Sequence, residues 1–261
     1  MKKFFRERVL KAFEDYTRNY DLSNISIALK ISHTYRVAEA AERIAKTVVS
    51  PQQKIIAEDF AWLLGMLHDI GRFEQVTKYG TFKDALSVDH AELGADILFC
   101  EGLFDKFADS EALEVSEDEF KHLKEIAEIA VRLHNKLKIP EDMENEARLY
   151  TKILRDADKV DIFRVITEPP YDKRNVDGLY ARSEIMQCVY EHRCVPRPAS
   201  DLHYNELEYL IAQCCMAFEL EFEESRNIVV EQGYLRELLN KDNEQINILK
   251  VEVMNTWKIK L

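Results

Sequence analysis

Glycine and proline are scarce in this 261-residue chain, 7 and 6 in all, so turn-rich β architectures and long irregular segments have little to draw on. Long apolar runs are missing too. No stretch approaches the roughly 20 consecutive apolar residues that cross a bilayer, and the opening MKKFFRERVLKAFEDY mixes charge throughout, unlike a secretory leader. Neither a membrane span nor a signal peptide is expected. The five cysteines (Cys100, Cys188, Cys194, Cys214 and Cys215) are odd in number and show no paired spacing, which argues against a disulfide framework and for a reducing, cytoplasmic setting. Positive charge is in deficit: 36 Lys and Arg against 48 Asp and Glu leave a net charge of -12, which repels polyanions and disfavours duplex nucleic acid as a partner. Any phosphate must be captured locally.

What is present is helical periodicity. An apolar fraction of 46% supports a substantial buried core at this length. Apolar residues recur at the helical period nearly everywhere, with no strand alternation bounded by turn signals, so the expected fold is all-α. Helices are expected at about 2–18 and 24–48, then from Pro51 to about Asp69, where Gly71 suits a left-handed helix end. Others follow at about 88–100 with Ser87 as cap, at 117–137 and at 142–167, the last two separated by Pro140. Between them EQVTKYGTFKDALSVD reads as a long polar loop, and such loops in compact domains are often functional. After TEPPYDKRNVDG the character changes. The organisation read from this is an N-terminal helix (1–19) packed on a core (20–167), followed by a helical C-terminal extension (168–261) of three or four helices. In the extension LEYLIAQCCMAFELEF reads as a packing helix with Cys214 and Cys215 as small core residues, and its helices leave self-association into a homo-oligomer open. Lys173 and Arg174 are candidates for a pocket edge.

Four of the seven histidines fall on apolar faces. His33 shares a stripe with Leu29, Val37, Ala40 and Ile44; His68 follows Ala61, Leu64 and Gly65; His90 precedes Leu93, Gly94 and Ile97; His134 follows Ala127, Ala130 and Val131. Asp69, turned about 100° from His68, flanks the same pocket. His122, His192 and His203 have charged or loop-like surroundings. A single inward imidazole is usually satisfied by a carbonyl. Four in one core are another matter, because each polar group buried without a partner costs roughly 1–3 kcal/mol. A cation would serve them all. Asp158 aligns with Thr151, Leu154, Ile162 and Val165 and so faces the core, whereas Asp156 reads as exposed and Asp161 as intermediate, paired with Lys152, Arg155 or Lys159.

The order His33, His68 with Asp69, then Asp158, set in SHTYRVAEAAERIA, LLGMLHDIGRF and LRDADKVD, resembles the HD superfamily of metal-dependent phosphohydrolases over about residues 20–167. The resemblance implies a divalent ion held by His33, His68, Asp69 and Asp158. VDHAELGADIL and AVRLHNKLKIP resemble the stretches that supply further histidines in two-metal members, including the HD-GYP cyclic-dinucleotide phosphodiesterases. They imply a second ion that shares Asp69 and adds His90 and His134; alternatively, those two histidines bind substrate phosphate or move protons beside one metal. No Gly-Tyr-Pro triplet occurs, Arg72 replaces the usual lysine, and Asn135 follows His134 where that subgroup has a second histidine, so cyclic di-GMP does not follow as substrate.

The implied chemistry is attack by a metal-activated hydroxide on a phosphomonoester or phosphodiester of a small, nucleotide-like substrate. Mixed imidazole and carboxylate ligands do not choose among Mn, Fe, Ni, Co, Zn and Mg. Asp69 would bridge the ions, His90 or His134 would protonate the leaving oxygen, and Arg72, Lys78 or Lys83 would neutralise the phosphoryl group. Such local charges outweigh net charge within a Debye length, about 8 Å. Two rival readings are an HD-fold regulatory module that binds metal and nucleotide without turnover, and a helical assembly protein.

Overall fold

The computed structural model describes residues 2–48, 54–169, 175–196 and 203–259, and every regular element among them is helical. The all-α expectation holds. Two compact units, Met1–Asp158 and Lys159–Leu261, divide inside one long helix. The change in composition falls later, at 167/168, because the helix that carries LRDADKVDIF continues beyond Asp158.

The first unit contains α1 (Lys2–Thr17), α2 (Ile25–Val48), α3 (Lys54–Leu67), α4 (Ile70–Tyr79), α5 (His90–Ala95), α6 (Phe104–Phe107), α7 (Ser110–Leu113), α8 (Glu117–Leu133) and most of α9 (Asn145–Val165). α3 is apolar from Phe60 onward, with Phe60, Leu63, Leu64, Met66 and Leu67 fully buried, which is the pattern of a central helix. It lies tightly along α2. A Cβ at Gly65 would stand 2.4 Å from the Ala38 Cα, so only glycine permits this crossing. Phe5, Val9 and Phe13 form the buried stripe of α1, and Phe13 meets Tyr35 and Phe73 edge-on at 5.4 and 5.9 Å. Arg6 adds ion pairs to Asp59 (2.8 Å) and Glu42 (2.9 Å).

Several boundaries differ from those read in the sequence. After Leu67 the chain makes only a short turn through His68 and Asp69 before α4 begins at Ile70, so Gly71 is helical and ends nothing. The left-handed cap is Gly80, with φ +66°. Gly71 serves close approach instead: a Cβ there would lie 2.2 Å from the His90 carbonyl oxygen and 2.6 Å from the Gly94 nitrogen. The polar stretch is therefore helical to Tyr79, and the loop shrinks to 80–89 with a short turn at Asp84–Leu86. Asp89, not Ser87, caps α5 by accepting from the Ala91 and Glu92 amides, while the Ser87 hydroxyl donates to the Lys83 carbonyl at 3.0 Å. α8 stops at Leu133, short of 137. α6 and α7, four residues each, are too short for a period to reveal. The helix start at Pro51 lies outside the described residues.

The second unit continues α9 and adds α10 (Ser183–Tyr190), α11 (Glu206–Cys214), α12 (Glu223–Gln232), α13 (Tyr234–Leu238) and α14 (Glu244–Trp257), more helices than the three or four expected because α13 is barely one turn. Asn205 and Glu208 close a reciprocal capping box at the start of α11. Cys214 and Cys215 are fully buried there, beside Leu210 and Ile211. No helix among the described residues is long and apolar enough to cross a membrane.

Candidate metal centre

Five segments of the first unit deliver six side chains to one place. His33 comes from mid-α2, His68 and Asp69 from the α3–α4 turn, His90 from the first residue of α5, His134 from the residue after α8, and Asp158 from α9. All four imidazoles and Asp69 are buried, and Asp158 keeps 17% of its side chain exposed, so the cluster has a wet side.

Asp69 is the hub. Its Oδ2 lies 3.5 Å from His33 Nε2 and 3.4 Å from His68 Nε2, while Oδ1 lies 3.4 Å from His90 Nε2 and 3.9 Å from His134 Nε2. Asp158 Oδ1 closes the first half at 3.1 Å from His33 Nε2 and 3.8 Å from His68 Nε2. Two groups, His33–His68–Asp69 and Asp69–His90–His134, each bring their donor atoms within 4.8 Å of one another.

The protons are placed so that these donors point inward. His68 Nδ1 lies 2.7 Å from the Gly65 carbonyl and His134 Nδ1 lies 2.7 Å from the Val131 carbonyl. A carbonyl only accepts, so each Nδ1 carries a proton and Nε2 is the nitrogen that faces the cluster. His90 Nδ1 donates likewise to Asp84, at 2.9 Å. His90 Nε2 and His134 Nε2 then face each other at 3.1 Å, lone pair to lone pair. Burial, reinforced by its imidazole neighbours His90 and His68, pushes His134 down to about 3, and burial together with Arg72 lowers His90 against the pull of Asp84. Burial also opposes ionisation of Asp69, but Lys30, His68 and Arg72 outweigh it and hold that carboxyl well below the usual range. Imidazole nitrogens and ionised carboxylates converging in a buried pocket are the donor set that divalent cations take. The residues fit the metal.

An outer layer holds this set in place, and sequence reasoning missed most of it. Asp84 accepts from His90 Nδ1, from Arg72 Nη1 at 3.0 Å and from Gln75 Nε2 at 2.9 Å. Gln75 is fully buried and also donates to the Ser87 hydroxyl and the Val88 carbonyl. Arg155 donates from Nη1 to the carbonyls of Leu133, His134 and Lys136, so it caps the end of α8 and fixes His134. Asp84→Asn should lower turnover or metal affinity by about 10- to 100-fold, as measured by metal titration; an unchanged affinity and rate would deny it this role. Gly71→Ala should drive α5 away and cost about 1–3 kcal/mol, seen as a lower denaturation midpoint.

The basic candidates separate. Arg72 stands beside the cluster; its Nε atom, 3.5 Å from Asp69 Oδ1, is buried and makes no hydrogen bond of its own. Lys78 does not join it: it is exposed and paired to Glu74 at 2.7 Å, one turn back on α4. Lys83 is exposed as well, at the entry to the Asp84–Leu86 turn. The cation that does reach Asp69 is Lys30, whose Nζ lies 2.6 Å from Oδ2. Asp156 and Asp161 are buried rather than solvated, Asp161 pairing with Arg164 at 2.7 Å, because no residue of α9 after Asn145 is fully exposed. Lys173 and Arg174 lie outside the described residues.

Comparison with known families fits this geometry. The family model of the HD domain matches residues 31–162, half of the chain, and takes in all six clustered side chains. This chain belongs to the HD-domain family, whose members are generally metal-dependent hydrolases. No curated protein and no solved structure matches it.

Proposed function

We propose that this protein is a metal-dependent phosphohydrolase that cleaves a phosphomonoester or phosphodiester bond of a small, nucleotide-like substrate. One observation carries the reading: each carboxylate oxygen of Asp69 faces its own pair of imidazole nitrogens, with His90 and His134 lone pairs opposed at 3.1 Å. Opposed lone pairs in a buried pocket are unfavourable unless a cation lies between them. His33, His68, Asp69 and Asp158 would hold one divalent ion, and Asp69, His90 and His134 a second. Ions so held polarise phosphoryl oxygens and supply hydroxide near neutral pH.

The chain's own residues do the rest. Asp69 and Asp158 stay ionised, and the Nδ1 anchors of His68, His90 and His134 stop the rings from turning away. Arg72, locked by Asp84, is a fixed positive charge for a phosphoryl oxygen. The exposed edge of Asp158 marks the side from which a substrate enters.

The test is elemental analysis of the purified protein, then hydrolysis of an aryl phosphomonoester, an aryl phosphodiester and a nucleotide panel with Mn, Fe, Ni, Co, Zn and Mg in turn. About two ions per chain and turnover of at least one ester class are expected. Metal without turnover anywhere in the panel would point to a regulatory HD module.

A further inference from the structure

Asp69 has two positive neighbours that differ in kind. Arg72 is tied down: its Nη1 donates to Gln75 Oε1 at 2.8 Å, the Phe82 carbonyl at 2.7 Å and Asp84 Oδ1 at 3.0 Å. Lys30, three residues before His33, gives its ammonium to Asp69 Oδ2 at 2.6 Å, and that ammonium has no other hydrogen-bond partner among the described residues. Both flank the ring of Phe82, with Lys30 Nζ at 5.6 Å and the Arg72 guanidinium carbon at 5.7 Å from its centroid. The Lys30 side chain is 12% exposed, so its flexible stem connects the buried carboxylate with the outside.

We propose that Lys30 is the substrate-anchoring cation of this centre, neutralising Asp69 until a divalent ion takes over that charge and then binding the phosphoryl oxygens of the substrate. The inference rests on the phosphohydrolase reading. Its physical basis is a conflict at one atom. Asp69 Oδ2 is the oxygen that faces His33 and His68, and it is also the oxygen that Lys30 holds. A dication among those donors repels an ammonium on the same oxygen, and among the described residues the ammonium has no second carboxylate in contact to fall back on. An incoming phosphoryl group provides one. Arg72 cannot exchange partners in this way without abandoning three acceptors and releasing Asp84 from the His90 side. The mobile charge and the fixed charge therefore have different tasks.

The experiment compares wild type with Lys30→Met and Lys30→Arg by calorimetric titration, first with Mn²⁺ alone and then with inorganic phosphate on the Mn²⁺-loaded protein. Lys30→Met should bind Mn²⁺ more tightly, because the competing charge is gone, yet bind phosphate about 10- to 100-fold more weakly, the loss of one charge-assisted hydrogen bond. Lys30→Arg should recover most of the phosphate affinity, and it keeps the test open should the methionine variant fold poorly. A lysine that merely packs would loosen both ligands together. Phosphate affinity within twofold of wild type in Lys30→Met, or lost as fully in Lys30→Arg, overturns the assignment to Lys30 alone. Should wild type take up no Mn²⁺, the same titrations are run with Fe, Ni, Co, Zn and Mg, and a wild type that takes up none of the six overturns the phosphohydrolase reading beneath it.

Discussion

Asp69→Asn is expected to abolish both metal uptake and turnover while leaving a folded, helical protein. The replacement keeps volume and shape, so the packing around the α3–α4 turn survives. What changes is the sign of the hub. The carboxylate presents an acceptor to each histidine pair, Oδ2 to His33 and His68 and Oδ1 to His90 and His134. An amide has only one oxygen, so one half of the cluster meets an NH₂ group whichever way the side chain turns. That NH₂ donates to the imidazole lone pairs and occupies the ground a cation would need. Loss of an outer partner such as Asp84 costs about 10- to 100-fold, and loss of a ligand shared by both halves should exceed that range. Lys30 also loses its counter-charge, but its partial exposure lets the ammonium move to water, so the folded state is not left with a buried unpaired charge. The measurement is elemental analysis with steady-state rates, alongside circular dichroism. Retained metal with retained rate would remove Asp69 from the centre of the mechanism.

The four histidines and Asp158 are legible in sequence for one physical reason: each lies on, or continues, the apolar stripe of a helix where an imidazole or carboxylate needs a partner, and Asp69 follows from its place beside His68. The outer residues leave no such trace. Lys30 sits one turn before His33 on the same helix, yet a lysine there ordinarily extends into water, and only the fold places Asp69 against it. Asp84 and Gln75 come from a loop and from a helix whose end was misplaced, since Gly71 looks like a terminator when its real constraint is the His90 backbone 2.2 Å from where a Cβ would stand. Arg155 reads as a surface ion-pair partner because its targets are backbone carbonyls at the end of α8, which no side-chain pattern announces. Lys78 is the opposite case. Glu74 four residues earlier is a visible helix pair, and it explains why that lysine turns outward.

Removing divalent ions with a chelator should lower the thermal unfolding temperature by about 8–16 °C for each site emptied, and acid should deepen the loss. Free metal at about 1,000 times its dissociation constant contributes about 4 kcal/mol per site, and about 1 kcal/mol corresponds to roughly 2–4 °C in a chain of this size. The acid effect has a definite sign. His134 is pushed down to about 3 in the folded protein, against about 6.5 in an unfolded chain. Between those values the unfolded chain binds a proton that the folded one refuses, so the stability of the chelated protein falls as pH drops from about 6.5 toward 3. The lowered carboxyl of Asp69 acts in the same direction below the ordinary carboxylate range. His134→Gln isolates this contribution. In chelator it removes one of two lone pairs opposed at 3.1 Å and gives up one Nδ1 hydrogen bond to Val131, so its stability near pH 7 should stay within about 1 kcal/mol of wild type while its acid slope flattens. With metal present, the same variant should hold one ion fewer and lose part of the thermal gain. Chelated and loaded protein melting together, with an unchanged acid slope in His134→Gln, would mean that these histidines are ordinary core residues; the opposed nitrogens argue that they are kept, at some cost to the bare fold, for a cation.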